Sequence, residues 1–584
     1  NVLARTEQLS SVDVDFKQIY NRHFINFGLI EYPPLVEQGN MLIIVYDDFW
    51  DSMLPFVNWK NTKGIPTEMV KVSEIGNANA IKLYIEQYYA DNGLTFVLLV
   101  GDAYEIPTLY SSPYTSAASD PSYSYIVGND NYQDLFIGRF SAESTGDVDT
   151  QVERSIEYER DPQIGGEWYY KGTGIASNQG PGDDGEYDDE HMDFIRDDLL
   201  AYTYTEVDQI YDPYATSKML SDALNDGRSI VNYCGHGYIT LWSSSGFSNS
   251  DVNALTNDNM LPFICSVACN NGEFDGPTCF AETWLRATNN GNNEPTGAIG
   301  VFASTQSQSW DPPMDAEDEI VDILIETYAD NIRCSYGALC FEGTMHMMDE
   351  YGESCYDETD AWTVFGDPSL QVRTDTPTTY TVNHDPSVSQ GLTTFEVEVE
   401  GVKNALCAIS QDFILLGYGY TNETGNAAVE FFEPFDREGV VDLVVTAYNM
   451  IPYMTILNTN AAPEKPERPD GPDQGKPGSV YMFTTVTTDV DGDQIFYNFS
   501  WGDDTYSDWV GPFESGETGT ASHNWDENGT YEIRAKAKDV FGDESDWSEP
   551  FSVSMPRDRT FFFTLLEILE QFFPQLFSFL RGLN

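Results

Sequence analysis

Tyr233-Cys-Gly-His-Gly237 and Ser266-Val-Ala-Cys-Asn-Asn-Gly272 each close a short apolar run with the length and composition of a buried parallel strand. Each run therefore delivers one reactive side chain, His236 or Cys269, just past a strand's carboxyl end. At that edge of an open α/β sheet the strands fix position while the loops are free to vary, so sites collect there. A thiol is nucleophilic as its thiolate, and an imidazole within hydrogen-bond reach takes the proton near neutral pH. The pair is a candidate nucleophile and base.

Outward from these two segments the same alternation continues. Apolar strands are expected over 41–46, 95–100, 172–177, 227–234, 262–268 and 296–304, with helices over 49–63 and 79–92 among those between them. Strands alternating with helices imply a mainly parallel sheet covered on both faces. The charged stretch Glu157-Tyr-Glu-Arg160 divides this α/β region into an N-terminal subdomain, 39–160, and a subdomain carrying His236 and Cys269, 161–375. Residues 1–38, with Tyr32-Pro-Pro34, read as a leader or pro-segment remnant. No basic stretch followed by an apolar one stands at the amino end, so a signal peptide is expected to have been removed already.

From 376 the period changes to two, as in Thr394-Phe-Glu-Val-Glu-Val-Glu400 and Val440-Val-Asp-Leu-Val-Val-Thr-Ala447, which predicts a β-sandwich over 376–462. A Pro-, Gly- and acid-rich linker covers 463–478. A second all-β unit, 479–556, contains Trp501-Gly-Asp-Asp-Thr505, which resembles the turn of polycystic-kidney-disease repeats. Within it Asp489-Val-Asp-Gly-Asp493 reads as a turn, with calcium binding as the alternative. The tail, 557–584, is apolar from Phe561 to Leu583 but broken by Glu567, Glu570 and Pro574. It is expected to form amphipathic helices that dock on a partner, a membrane surface or a sorting machine, or pack back on the same chain.

The formal charge of −68, from 28 Lys+Arg against 96 Asp+Glu over 584 residues, makes nucleic acid and anionic lipid poor partners. Such a surface suits salty surroundings and divalent cations. Eight cysteines are too few for a disulfide scaffold. Cys334, Cys340 and Cys355 allow one loop-closing bridge or free buried thiols, and Cys234 and Cys265, inside strands, read as core. Sequons at Asn422, Asn498 and Asn528 fit an exported chain.

Three stretches carry a family resemblance: Tyr233-Cys-Gly-His-Gly237, Leu261-Pro-Phe-Ile-Cys-Ser-Val-Ala-Cys-Asn-Asn-Gly272 and Trp362-Thr-Val-Phe-Gly-Asp-Pro-Ser-Leu370. With Phe136-Ile-Gly-Arg-Phe140, Ala303-Ser-Thr305 and Gln308-Ser-Trp310 they resemble, in order and over roughly 40–375, the gingipains, secreted cysteine peptidases of caspase-like α/β fold. The following sandwich then takes the place of the family's immunoglobulin-like domain. The resemblance implies Cys269 as nucleophile, His236 as base and acid, and the backbone N–H groups of Gly237 and Cys269 as the oxyanion hole. Where the arginine-specific gingipains place an acidic residue beside the histidine, this chain has Gln179; Asp183 or Asp184 is the alternative third member. Asp188 aligns with the aspartate of the family's S1 pocket and Trp310 with the tryptophan over it, so cleavage after Arg, then Lys, is expected.

The resemblance also implies calcium and no organic cofactor. Its ligands would be Asp102, Val127, Asp130, Tyr132 and Asp134, with Glu186, His191, Phe274, Glu282, Asp318 and Glu319 as further candidates. The expected function is thus a secreted or cell-surface cysteine endopeptidase acting on proteins. The alternatives are a gingipain-like sortase passing an acyl group to another nucleophile, and a non-catalytic surface binding protein.

Overall fold

Five-residue segments such as Met41–Val45, Phe96–Val100 and Phe263–Val267 are buried at every position, because both faces of the sheet they form are covered. Removing each such Leu, Ile or Val side chain from water contributes about 1.5–3 kcal/mol. The computed structural model describes residues 16, 19, 39–111, 116–327, 335–556 and 567–574. The remainder of 1–38, Cys334 and most of the tail lie outside these residues.

Among the described residues the central sheet has ten strands. In chain order these are β1 (Met41–Val45), β2 (Thr67–Lys71), β3 (Phe96–Val100), β4 (Phe136–Phe140), β5 (Lys171–Ala176), β6 (Glu206–Tyr211), β7 (Ile230–Cys234), β8 (Phe263–Val267), β9 (Gly300–Ser304) and β10 (Trp362–Phe365). Their spatial order is β2-β1-β3-β4-β10-β9-β8-β7-β5-β6. Every described pairing is parallel except β9 with β10, which run antiparallel. A strand from late in the chain thus joins two parallel halves into one α/β sheet.

Helices cover the faces. Thr145–Arg160 starts at a capping box in which Ser144 Oγ accepts the Asp147 amide and the Asp147 carboxylate accepts the Ser144 amide. At its other end Glu159 is buried and takes Lys60 Nζ at 2.7 Å and Lys63 Nζ at 2.5 Å from the helix Trp50–Lys63. Lys60 Nζ also reaches Asp367 Oδ2 at 2.6 Å, just beyond β10.

Compactness divides the chain into two units. The first holds the large sheet together with 394–432 and 441–456; the second holds 385–393, 433–440 and everything from 457. In the first unit the strands Val382–His384, Thr394–Val399, Asn426–Phe431, Ile414–Tyr420, Leu406–Gln411 and Val440–Thr446 pair antiparallel in that spatial order. Thr394–Val399 and Asn426–Phe431 alternate exposed and buried, as period two requires. In the second unit, Val480–Thr485 pairs with Gly519–Asn524, and a four-stranded antiparallel sheet runs through Ile495–Ser500 and Gly529–Lys538 around Phe483, Trp501 and Trp525. Trp501-Gly-Asp-Asp-Thr505 is a turn closed by Trp501 N–H to Thr505 O at 3.0 Å.

The seven described cysteines are free thiols, Cys340 and Cys355 included, so no bridge joins those two. In the tail, 567–572 is helical and exposes Ile568, Leu569 and Phe572. No helix among the described residues is long and apolar enough to cross a membrane.

Candidate active site

Ala176, Cys234 and Val267 are register partners at the ends of β5, β7 and β8, so the loops that follow start side by side. The ladder runs one step further, with Ser177 N–H donating to Cys234 O at 3.0 Å and Gly235 N–H to Val267 O at 3.2 Å. Those loops carry Gln179, His236 and Cys269. The loop after β9 adds Gln308, Ser309 and Trp310, after which Asp311-Pro-Pro313 opens the next helix, with proline where the missing N–H is tolerated.

His236 and Cys269 line one pocket of about 240 Å³ together with Cys234, Gly235, Val267, Ala268, Gln308, Ser309 and Trp310. His236 is solvent-accessible and its Nε2 lies 3.1 Å from Gln179 Oε1. The amide oxygen accepts, so Nε2 carries the proton and Nδ1 is left as the basic nitrogen. Asp183, the alternative third member, instead accepts from Tyr351 Oη at 2.7 Å.

Cys269 is half-buried, with Sγ 3.9 Å from Gln308 O. The next residue, Asn270, has φ of +61°, a left-handed turn that asparagine tolerates better than most side chains and that ends the strand sharply. A Cβ on Gly237 would stand 2.6 Å from Cys269 O and 2.8 Å from Ala268 Cβ, so only glycine lets the histidine loop lie against the cysteine backbone.

Asp188 departs from the sequence expectation in one respect. It is fully buried at the first position of the helix Asp188–Tyr202 and is not itself a lining residue. Trp310 Nε1 donates to its Oδ1 at 3.1 Å and Ser177 Oγ to its Oδ2, with the Cys234 thiol as a further donor. Trp310 and Cys234 are the lining residues, and Asp188 stands behind them. A buried carboxylate without a cation needs such donors. Burial pushes its pKa up, against the pull of these hydrogen bonds. The Trp310 ring also meets His236 edge-on, centroids 5.5 Å apart.

Sequence reasoning missed several contributors. Gln308 Oε1 accepts the Ala268 amide at 2.8 Å, Glu358 Oε1 accepts the Ser309 amide at 2.8 Å, and Cys234, a core residue as expected, also lines the pocket. Only their tertiary placement marks them.

The candidate calcium ligands fall into three groups. In the first, Asp134 Oδ2 accepts the amides of Ile126 and Val127 at 2.7 and 2.6 Å, and Asp130 Oδ1 that of Tyr132 at 3.2 Å. Burial above all holds the Asp134 carboxyl up at about 6. In the second, Arg286 Nη2 lies 3.4 Å from Asp102 and 2.7 Å from Glu282, so a guanidinium already stands between these carboxylates. The buried Phe274 ring packs under Arg139 and against Phe365. In the third, the buried His191 lies 3.3 Å from Glu317, 3.5 Å from Asp318 and 3.8 Å from Glu186. Glu317, the nearest, was not foreseen. Glu319 is buried on the same helix, and its charge helps raise the pKa of His346.

A profile of Peptidase family C25 matches residues 35–373. The chain belongs to this family. Gingipain R2 of Porphyromonas gingivalis is 39% identical over 452 residues, which is 76% of this chain and 60% of that protein. Lys-gingipain of the same organism is 24% identical, over 75% of this chain and 26% of its own length. This C25 chain therefore spans only part of the curated relatives it matches. Among solved structures, that of the Arg-specific cysteine proteinase gingipain R aligns with a TM-score of 0.70 at 38% identity, over 73% of this chain and 99% of that one.

Proposed function

We propose that this C25 chain is a cysteine endopeptidase that cleaves proteins after Arg and, less readily, after Lys. The observation that carries this reading is the shared pocket of His236 and Cys269, with Trp310 along one wall and Asp188 behind it. The likeness to an Arg-specific proteinase supports it. Protein substrates follow from the same reading.

In this reading, His236 Nδ1 takes the Cys269 proton and the thiolate adds to the scissile carbonyl. Negative charge develops on the carbonyl oxygen, which the backbone N–H groups of Gly237 and Cys269 would hold; such fixed donors cost no reorganisation as charge appears. The imidazolium returns its proton to the leaving amine, and water, deprotonated by the same imidazole, releases the acyl group from sulfur. An arginine side chain would take over the Asp188 oxygen that Trp310 Nε1 holds in the free protein. Its planar guanidinium can engage the carboxylate through two N–H groups, which favours it over a lysine ammonium.

Calcium belongs to the same proposal. The loop of Val127, Asp130, Tyr132 and Asp134 offers carboxylate and main-chain oxygens suited to a hard cation, and Glu186 and Asp318 beside His191 are a second such set. Bound there, the ion would offset the repulsion among acids and fix the loops that carry them. The sequons and the acidic surface favour an exported chain.

The test is turnover of otherwise identical fluorogenic peptides ending in Arg, Lys, Asp or Leu at P1, with and without an added amine acceptor. Preference for Arg and release to water support the endopeptidase. Preference for Asp or Leu rejects the pocket, and transfer to the amine in place of hydrolysis makes the chain a transpeptidase.

A further inference from the structure

Two loops of the second unit share one pattern, Asp489-Val-Asp-Gly-Asp493 and Asp539-Val-Phe-Gly-Asp543. Each is wound around its first aspartate. Asp489 Oδ1 accepts the amides of Asp491 at 2.9 Å and Asp493 at 3.1 Å. Asp539 Oδ1 accepts those of Phe541, Gly542 and Asp543 at 2.9, 2.7 and 3.0 Å. The glycines, Gly492 and Gly542, sit at φ of +84° and +101°, which lets both loops turn back so tightly.

The loops meet over Asn460. Its Nδ2 lies 2.9 Å from Asp539 Oδ2 and 2.5 Å from Asp543 Oδ2, while the Ala461 amide donates to Asp491 Oδ2 at 2.8 Å. Carboxylate oxygens of Asp489, Asp491 and Asp493 lie within 4.8 Å of one another.

Asp489 is 6% exposed and Asn460 is 1% exposed, yet Asp489 Oδ2 and Asn460 Oδ1 have no hydrogen-bond partner among the described residues. A turn stabilised by its own amides uses one oxygen of its first aspartate and has no need to bury the other. Leaving a buried oxygen unpaired costs about 1–3 kcal/mol, more when the group is charged, and a cation removes that cost for several oxygens at once.

We infer that the second unit binds a calcium ion between these twin loops, with Asp489 Oδ2 and Asn460 Oδ1 as its buried ligands and Asp491, Asp493, Asp539 and Asp543 supplying further carboxylate oxygens. The donors are all oxygen, which selects a hard cation. Their number, on loops that can adjust, suits the six to eight ligands of Ca²⁺ better than the strict octahedron of Mg²⁺, which keeps much of its water. The inference is independent of the peptidase reading. By contrast, the other acidic trio, Glu153, Glu157 and Glu294, has no buried orphan oxygen of this kind among the described residues.

The experiment is hydrogen exchange followed by mass spectrometry on the whole chain, reading peptides that cover 489–493 and 539–543. Calcium at roughly 1 mM, the weak end of extracellular sites, should slow exchange in both loops at least about tenfold. Asp489→Asn and Asp491→Asn should each remove most of that protection while the exchange of β7 and β8 keeps its wild-type response. Where Asp489→Asn loses the native fluorescence of Trp501 and Trp525, the exposed Asp491→Asn decides the matter. Loops indifferent to calcium in the wild type, or equally protected in the folded variants, overturn the site. Equal protection by magnesium overturns calcium as its ion.

Discussion

His236 Nε2 and Gln179 Oε1 lie 3.1 Å apart, so an amide and not a carboxylate orients the imidazole. An amide fixes the tautomer but adds no charge to stabilise the imidazolium that would form in the proposed reaction. Gln179→Ala should lower kcat by about tenfold, the loss of a hydrogen bond worth ~1.5 kcal/mol to a group that becomes charged. Gln179→Glu should recover kcat and move the acid limb of its pH profile upward, because a carboxylate favours the protonated ring. Equal kcat and pH profile in all three proteins would remove Gln179 from the machinery.

Asp188 yields a pH prediction. Burial holds its carboxyl above the ordinary range, and only the ionised form attracts a guanidinium. Selectivity for Arg should therefore fall on acidification at a higher pH than an ordinary carboxylate would give. The ratio of kcat/KM for an Arg peptide to that for its neutral citrulline counterpart isolates this step, since the cysteine and histidine titrations cancel. Asp188→Asn should flatten the ratio and weaken transition-state binding of Arg peptides by about 2–5 kcal/mol. A ratio that keeps its pH dependence in this variant assigns the charge recognition elsewhere.

How much of this was legible follows from where each residue sits in the sheet. β1, β3, β7 and β8 are interior strands buried on both faces, and their apolar runs announced them. β2 and β6 are the two edge strands, and their polar sequences, Thr-Glu-Met-Val-Lys and Glu-Val-Asp-Gln-Ile-Tyr, carried no such signal. The antiparallel seam between β9 and β10 is fixed by contacts distant in sequence, which no local pattern records. His236 and Cys269 were readable because each ends an interior strand. Gln308, Glu358 and Glu317 were not, because their roles exist only once the loop after β9 and the helix behind it are folded against the sheet. Asp188 was singled out in the sequence, but its place behind Trp310 depends on a hydrogen bond 122 residues long in sequence.

The buried cluster of Glu159, Lys60 and Lys63 predicts acid sensitivity. Burial alone would raise the Glu159 carboxyl, but the two ammonium groups outweigh it and bring the pKa down from 4.5 to about 2. A carboxyl lowered in the folded state contributes stability that is present above its unfolded value and lost as pH falls from there toward the folded one. Denaturant midpoints should therefore drop between about pH 4.5 and 2, and less steeply in Glu159→Gln. At neutral pH that variant should cost about 3–5 kcal/mol, because it leaves Lys63 buried with its counter-ion removed. An unchanged midpoint at neutral pH would show that the pair contributes nothing net.

The thiols provide the most direct check on the nucleophile. Cys234, Cys265, Cys279, Cys340, Cys355 and Cys407 are buried, and burial raises the pKa of each, which keeps them protonated and shielded. Cys269 alone among the described thiols is partly exposed, in a pocket it shares with an imidazole. Brief treatment with iodoacetamide followed by peptide mapping should mark Cys269 ahead of the other six by at least about a hundredfold in rate, since reactivity follows thiolate content and access together. Cys269→Ala should lose that label and lower kcat by several orders of magnitude. Its melting temperature should stay close to that of the wild type, because a half-exposed side chain is shortened by one atom and no core contact is opened. Cys234→Ala separates pocket from nucleophile: it removes one donor from Asp188, so it should raise KM for Arg peptides while rapid labelling of Cys269 persists. Retained turnover in Cys269→Ala, or rapid labelling at Cys234 in its place, would move the nucleophile off the loop after β8 and overturn the assignment.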